Sequence, residues 1–135
     1  MGYWRNINVT EPIASQTDAA VLSMEYGSKA KGTFSVAYSN PAGDIVVTTA
    51  DHHITFGPEG STSFTISGVA GKEGSAIVDF CYDSALEPMQ VGELTSLFTV
   101  ADSGNEGYTK EYKLVANVDA PIMISRREGS MTTVV

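Results

Sequence analysis

The sequence predicts an all-β domain: an antiparallel β-sandwich of about eight to ten short strands, immunoglobulin-like or jelly-roll in strand order. Three observations lead there. From Ala20 onward apolar and polar residues alternate in short runs, the period of a strand with one buried and one wet face. Gly, Asn, Pro and Asp break these runs about every 8 to 12 residues, the spacing typical of sandwiches and barrels. No stretch holds the ~3.6-residue apolar period of a helix, and no internal repeat is visible.

Residues 1–19 stand apart from this pattern. Tyr3, Trp4, Ile7 and Val9 are apolar or aromatic, Glu11-Pro12 interrupts them, and Ser15-Gln16-Thr17-Asp18 is polar. This reads as an extended N-terminal arm, with a short edge strand over 7–9. Ser15 to Asp18 also has the chemistry to cap a helix over 19–24, but a strand is the stronger reading. The domain proper then occupies residues 20–135.

Within it, 32–38 places Phe34, Val36 and Tyr38 on one face. Asn40-Pro41-Ala42-Gly43-Asp44 is a turn, with Pro presetting φ and Gly free to take φ > 0. Residues 45–49 are β-branched and read as a buried strand. Gly57-Pro58-Glu59-Gly60 separates Ile54 and Phe56 from a strand over 63–67, so the two flanking runs predict a hairpin. Gly68 to Gly74 reads as a second hairpin loop. Residues 75–83 turn Ala76, Val78, Phe80 and Tyr82 inward, and 84–91, with Pro88, connects to the next strand. Leu94, Ser96, Phe98 and Val100 share one face, and the longest alternation sets Tyr108, Lys110, Tyr112, Leu114, Ala116 and Val118 inward. The Lys110 stem is long enough to carry its charge to water. A short run over 122–125 and the β-branched end 131–135 close the chain.

Composition excludes several functions. The chain has 135 residues, the size of one domain, long enough to bury roughly two-thirds of its unfolded surface. Its one cysteine, Cys81, rules out an internal disulfide framework. Sixteen acidic against eight basic side chains give a formal charge of −8, which argues against nucleic acid and anionic membrane surfaces. No run reaches the ~18 apolar residues of a membrane span. Met1-Gly2-Tyr3-Trp4-Arg5-Asn6 lacks the charged-then-apolar order of a signal peptide. The expectation is a chain that works in the cytoplasm or reaches the outside by another route, such as assembly into a virus particle.

Candidate chemistry is sparse. His52-His53 is the one histidine pair. Adjacent strand residues point to opposite faces and do not share a metal, so loop or edge-strand histidines are expected. An enzyme would need one of them to meet an acid in a pocket, and nothing nearby nominates a nucleophile. Asp79 and Asp83, with Asp44 or Asp102, lack the closely spaced ladder of a calcium loop and read as solvent-facing acids. Cys81 has no flanking cation in sequence and reads as a buried, inert thiol. Gly68-Val69-Ala70-Gly71-Lys72-Glu73-Gly74 has neither the spacing, the Ser/Thr nor the following helix of a phosphate loop. No catalytic residue, cofactor or metal is therefore expected.

Asp102-Ser103-Gly104-Asn105-Glu106-Gly107-Tyr108 resembles the Asp-x-Gly-x-Tyr turn into the sixth strand of immunoglobulin-like domains, where the tyrosine ties the loop to backbone. It differs by two extra residues, by lacking a following Cys, and by a Trp found in the arm. The termini are the other signal: Tyr3, Trp4, Ile7 and Val9, and Met131, Val134 and Val135, are costly to leave in water. They pack on their own domain or add a strand to a neighbour.

As a whole the chain resembles in type, without an identifying motif, the small capsid decoration or cement proteins of tailed bacteriophages. The resemblance implies a non-enzymatic structural protein on the capsid surface. It implies binding to the major capsid protein or another virion protein, as a homodimer or homotrimer. The alternative is an extracellular, immunoglobulin-like recognition module that binds carbohydrate or protein at a cell surface or on a tail fibre. It would use the loop tips 68–74 or 101–107, with Tyr108 as a stacking residue.

Overall fold

A computed structural model describes residues 11–121. The alternation becomes eight strands: β1 (Ala20–Glu25), β2 (Lys29–Ser39), β3 (Ile45–Thr49), β4 (Ile54–Phe56), β5 (Ser63–Ile66), β6 (Glu73–Asp83), β7 (Gly92–Asp102) and β8 (Thr109–Asp119). No described residue is helical. Each long strand buries every second side chain, as when Tyr112, Leu114, Ala116 and Val118 of β8 turn inward and Glu111 and Lys113 outward. Two sheets close on that apolar side, one ordered β1-β8-β7-β3-β5 and the other β2-β6-β4.

The strand order separates the two sandwich types that the sequence leaves open. Ile13 bridges Tyr38 at the outer edge of β2, and a few residues later the chain joins the other sheet as β1. Counting the Ile13 segment as a first strand, the small sheet holds the first, second, fifth and fourth strands of immunoglobulin order. The large sheet holds the third, sixth and seventh. β5 is an additional strand beside β3. Every pairing is antiparallel except β1 with β8, which runs parallel from Ala20↔Leu114 to Glu25↔Asp119. This exception follows from splitting the first strand between both sheets.

The core is aromatic. Phe34 of β2 and Phe98 of β7 meet across the sandwich with ring centroids 4.7 Å apart. Phe80 lies 5.2 Å from Phe98, Phe56 lies 5.9 Å from it, and Tyr112 lies 5.6 Å from Phe34. Tilted pairs of this kind add about 0.5–1.5 kcal/mol each beyond their buried area. Antibody domains join the second and sixth strands by a disulfide. Here Phe34 and Phe98 link those same two strands, which a single-cysteine chain requires.

Both expected hairpins are absent. β4 pairs with β6 and β5 pairs with β3, so the chain changes sheet at residues 57–60, leaving a single Phe56↔Ser61 bridge. Residues 68–72 likewise connect β5 of one sheet to β6 of the other. The reason is burial: Ile54, Phe56 and Ile66 all reach the shared core, and a flat hairpin would leave both strands in one layer. The turn after β2 also differs from expectation. Asn40 takes the positive φ of 59° while Gly43 does not. Gly43 is needed for close approach, since a Cβ there would lie 2.8 Å from the Gly104 nitrogen. A Cβ on Gly104 would lie 2.5 Å from the Ala42 carbonyl carbon.

Two substitutions test this framework by urea denaturation. Phe98→Ala is expected to cost about 3–5 kcal/mol of unfolding free energy. Gly104→Ala is expected to lower the unfolding midpoint as well, because its clash is with backbone that has no side-chain freedom to give way.

Candidate functional site

Two clusters of polar side chains are built around the ends of the sandwich. The first ties down residues 11–16. Tyr108 donates its hydroxyl hydrogen to the Glu11 carboxylate or the Ile13 carbonyl, each 3.1 Å away. The Tyr112 hydroxyl donates to the Ala14 carbonyl at 2.6 Å. Gln16 pairs with the Lys113 backbone like one rung of a ladder: its amide donates to the Lys113 carbonyl and its own carbonyl accepts the Lys113 N–H. Lys110 forms an ion pair with Glu11. The hydrogen bonds and charge of Lys110, with the Tyr108 hydrogen bond, hold the exposed Glu11 carboxyl below its ordinary pKa. Beneath this strap Ile13 is fully buried in the seam between the sheets.

The second cluster lies in the β3–β4 turn. Asp51 Oδ1 accepts the His53 backbone N–H at 3.0 Å, curling the chain into a tight turn. The His53 ring stacks on Tyr82, 5.3 Å away and 6° from parallel. Its Nδ1 lies 2.6 Å from Asp51 Oδ1, and its Nε2 lies 3.0 Å from both the Leu86 and Pro88 carbonyls. Carbonyls only accept, so Nε2 carries hydrogen, and in the protonated ring Nδ1 donates to the Asp51 carboxylate. Burial pulls the His53 pKa down, but the Asp51 hydrogen bond and charge and the two carbonyls outweigh it and hold it above the ordinary value. Burial likewise pushes Asp51 up. Hydrogen bonds from Ser96 (Oγ to Oδ2, 2.5 Å) and from the His53 backbone and ring, with the His53 charge, hold it below. Tyr82 is pushed up by burial and by the Asp51 charge.

His53 thus meets an acid, as the enzymatic reading required, but the wiring is wrong for nucleophilic catalysis. A base must accept a hydroxyl proton; both His53 ring nitrogens face Asp51 and the Leu86 and Pro88 carbonyls, and Ser96 donates to Asp51 instead. The cluster fastens the β6–β7 connection, residues 84–91, to the β3–β4 turn. His52 and His53 lie in a loop, one of the two expected settings, but not as a divergent pair: their rings are 4.4 Å apart. Asp51 is the residue that sequence reasoning passed over. The available signal was Asp two positions before a histidine, the spacing at which an Asp side chain closes a turn.

The other sequence candidates are placed as follows. Tyr3, Trp4, Ile7, Val9, Met131, Val134 and Val135 lie outside the described residues. Tyr108 is half-buried against the core just before β8, with its hydroxyl engaged by the strap. The four aspartates considered for calcium do not converge. Asp102 is buried, not solvent-facing, and accepts the N–H groups of Ala42, Gly43 and Gly104 at 2.8–3.1 Å. Asp44 accepts from Gly68 and Asp83 from Ala85, while Asp79 faces outward on β6. Cys81 is half-buried on an outer face, directly across from Lys31 in the β2–β6 register, so a cation does flank it.

The turn cluster sets a pH dependence. The His53 pKa rises on folding, so its stabilisation is complete below the ordinary histidine value of about 6.5 and fades as pH climbs through the folded value. The Asp51 pKa falls on folding, so its contribution holds above about 3.9 and is lost as pH drops through the folded value. Melting temperature should therefore plateau between about pH 4 and pH 6.5 and decline on the alkaline side. Replacing His53 with Gln should abolish that alkaline decline, which a series of thermal melts will show.

No family model matches the sequence, and no curated protein matches it. Among solved structures the chain is similar to the periplasmic chaperone SfaE, at 13% identity and a TM-score of 0.44, over 82% of this chain and 59% of that one. It is similar to the ASH/PapD-like domain 7 of human CEP192, at 8% identity and a TM-score of 0.45, over 90% and 100%. A third similarity is to the CooA pilin subunit from enterotoxigenic Escherichia coli, at 13% identity and a TM-score of 0.40, over 75% and 91%. The chain spans about three-fifths of the length of the chaperone.

Proposed function

We propose that this chain is a non-catalytic immunoglobulin-like interaction module that binds another protein by strand addition along the open edge of β2. One observation carries the reading. β2 pairs with β6 over its whole length, Lys29 to Ser39. On its other side the described backbone hydrogen bonds reach only Ala37, whose carbonyl accepts the Ala14 N–H, and Ser39, whose N–H donates to Pro12, although the Leu22 side chain of β1 packs close to Gly32. Backbone groups alternate in direction along a strand. Lys29, Lys31, Thr33 and Ser35 therefore also point outward, and no described residue pairs with them. Such an edge is a ready template for an incoming strand. Lys29 and Lys31 oppose pairing with a like-charged strand and favour an acidic or neutral one.

The polar clusters support the same reading, because they spend their hydrogen bonds on the protein's own backbone. In finer form, the module decorates or cements a phage capsid as a homodimer or homotrimer, with the segment before Glu11 reaching a neighbour or the shell. Support for this comes from the acidic surface and from the apolar and aromatic residues of that segment. The alternative, recognition of carbohydrate or protein through a loop tip, would have to use a Tyr108 that is half-buried and whose hydroxyl is engaged by the strap.

Two variants test the proposal by co-sedimentation with capsids and by light scattering. Thr33→Pro removes one outward N–H at an edge position where proline is tolerated, and is expected to abolish binding without unfolding the domain. Removal of residues 1–10 leaves the strap intact and is expected to abolish shell binding and self-association. Undiminished shell binding by the truncated chain would refute the capsid reading, and undiminished binding of every protein partner by Thr33→Pro would refute strand addition.

A further inference from the structure

The β3–β4 turn has a second property that its fastening role does not require. One ligand atom from each of Asp51, His52 and His53 lies within 4.8 Å of the others. The direction of the donors can be worked out from the hydrogen bonds. His53 Nε2 faces the Leu86 and Pro88 carbonyls, and His52 Nε2 faces the Glu87 carbonyl between them. Carbonyls only accept, so both histidines carry hydrogen at Nε2. Nδ1 is then the atom each has left for a ligand. Metal-binding histidines are held in just this way, with the non-ligating N–H donated to a carbonyl that fixes tautomer and ring orientation. Ser96 does the same for the carboxylate by engaging Asp51 Oδ2 and leaving Oδ1 toward the rings. Stacking on Tyr82 keeps the His53 ring from rotating.

We propose that Asp51, His52 and His53 form a binding site for a divalent transition ion, with zinc as the reference case. The ligands are the Nδ1 atoms of both histidines and Oδ1 of Asp51. Two imidazoles and a carboxylate suit zinc, nickel or copper rather than calcium or magnesium. At metal–ligand distances of about 2.0–2.2 Å, tetrahedral ligands sit about 3.4 Å apart. Asp51 Oδ1 and His53 Nδ1 therefore separate by less than ~1 Å from their 2.6 Å contact, and the exposed His52 ring closes in. In the metal-free protein a proton occupies the line between Nδ1 and Oδ1. Binding exchanges it: the ion takes the Nδ1 lone pair, and one proton leaves to buffer. The side of the ion away from the turn stays open to solvent, because His52 is exposed.

The charged and titratable groups around His53 are Asp51 and His52 in the turn and Tyr82 on β6. From the 84–91 connection, Glu87 contributes its carbonyl. Apparent affinity should therefore rise with pH as the Nδ1 proton becomes easier to displace.

The test is isothermal titration of the untagged full chain with zinc chloride, in two buffers of different ionisation enthalpy. The expected result is saturable uptake of one zinc per chain with net proton release. His52→Ala, at an exposed position, should weaken binding by about tenfold or more, and Asp51→Asn should do likewise. Cys81→Ser should leave it unchanged. Absence of saturable uptake overturns the proposal, as does uptake that His52→Ala does not weaken.

Discussion

The contact on which this sandwich depends is the one between Phe34 and Phe98. They sit on the central part of β2 and β7, one in each sheet, and their rings are the nearest aromatic pair in the core. Phe80, Phe56 and Tyr112 gather around them. With one cysteine the chain has no covalent link between its layers, so dispersion and apolar burial must hold the sheets in register. Everything else in the molecule is placed by that closure. The seam at β1 and β2 has to be sealed, and the loops at both ends have to be anchored to a core that they do not themselves form.

Polar side chains do the sealing and anchoring. Tyr108, Tyr112 and Gln16 bind the strap over Ile13; Asp102 gathers the N–H groups of two crossing loops; His53 holds the β6–β7 connection. A buried polar group left unsatisfied costs about 1–3 kcal/mol, and each of these side chains satisfies several backbone groups at once. The same economy limits function. The His53 ring is engaged at both nitrogens and the Ser96 hydroxyl at Asp51, so these groups are tied to the turn they hold. The rigid turn that results does resemble the support of a metal site, because the carbonyls that orient the imidazoles also select their tautomer.

One edge of the small sheet, β2, has no backbone-paired neighbour over most of its length among the described residues. The first strand of the immunoglobulin order covers only the Tyr38 end of β2 before it crosses to β8. Ile13 and its neighbours still pair with β2, and the crossing is held just beyond them by Gln16, which pairs with the Lys113 backbone of β8. An edge is thus exposed by the same contacts that close the sandwich. Its lysines keep it from pairing at random.

Much of the fold was legible in the sequence. Period-2 alternation fixed which residues of β6, β7 and β8 face inward, down to Ser96 among apolar neighbours, because the strand period does not depend on which strand lies alongside. Turn chemistry located the breaks between strands. Partnership was not legible. Ile54, Phe56, Phe64 and Ile66 read as a hairpin, and only closure of the core sends β4 and β5 to different sheets. Gly43 read as a turn residue, and only the crossing of Ala42 with Gly104 shows that it is there for lack of a side chain. His52 and His53 read as divergent because strand geometry was assumed. The tight turn that Asp51 closes brings their rings together, and the loop carbonyls that orient them come from more than thirty residues away. Local periodicity is written residue by residue. Strand order, the strap and the histidine cluster arise from long-range contacts, and one chain's sequence does not say which distant segments will meet.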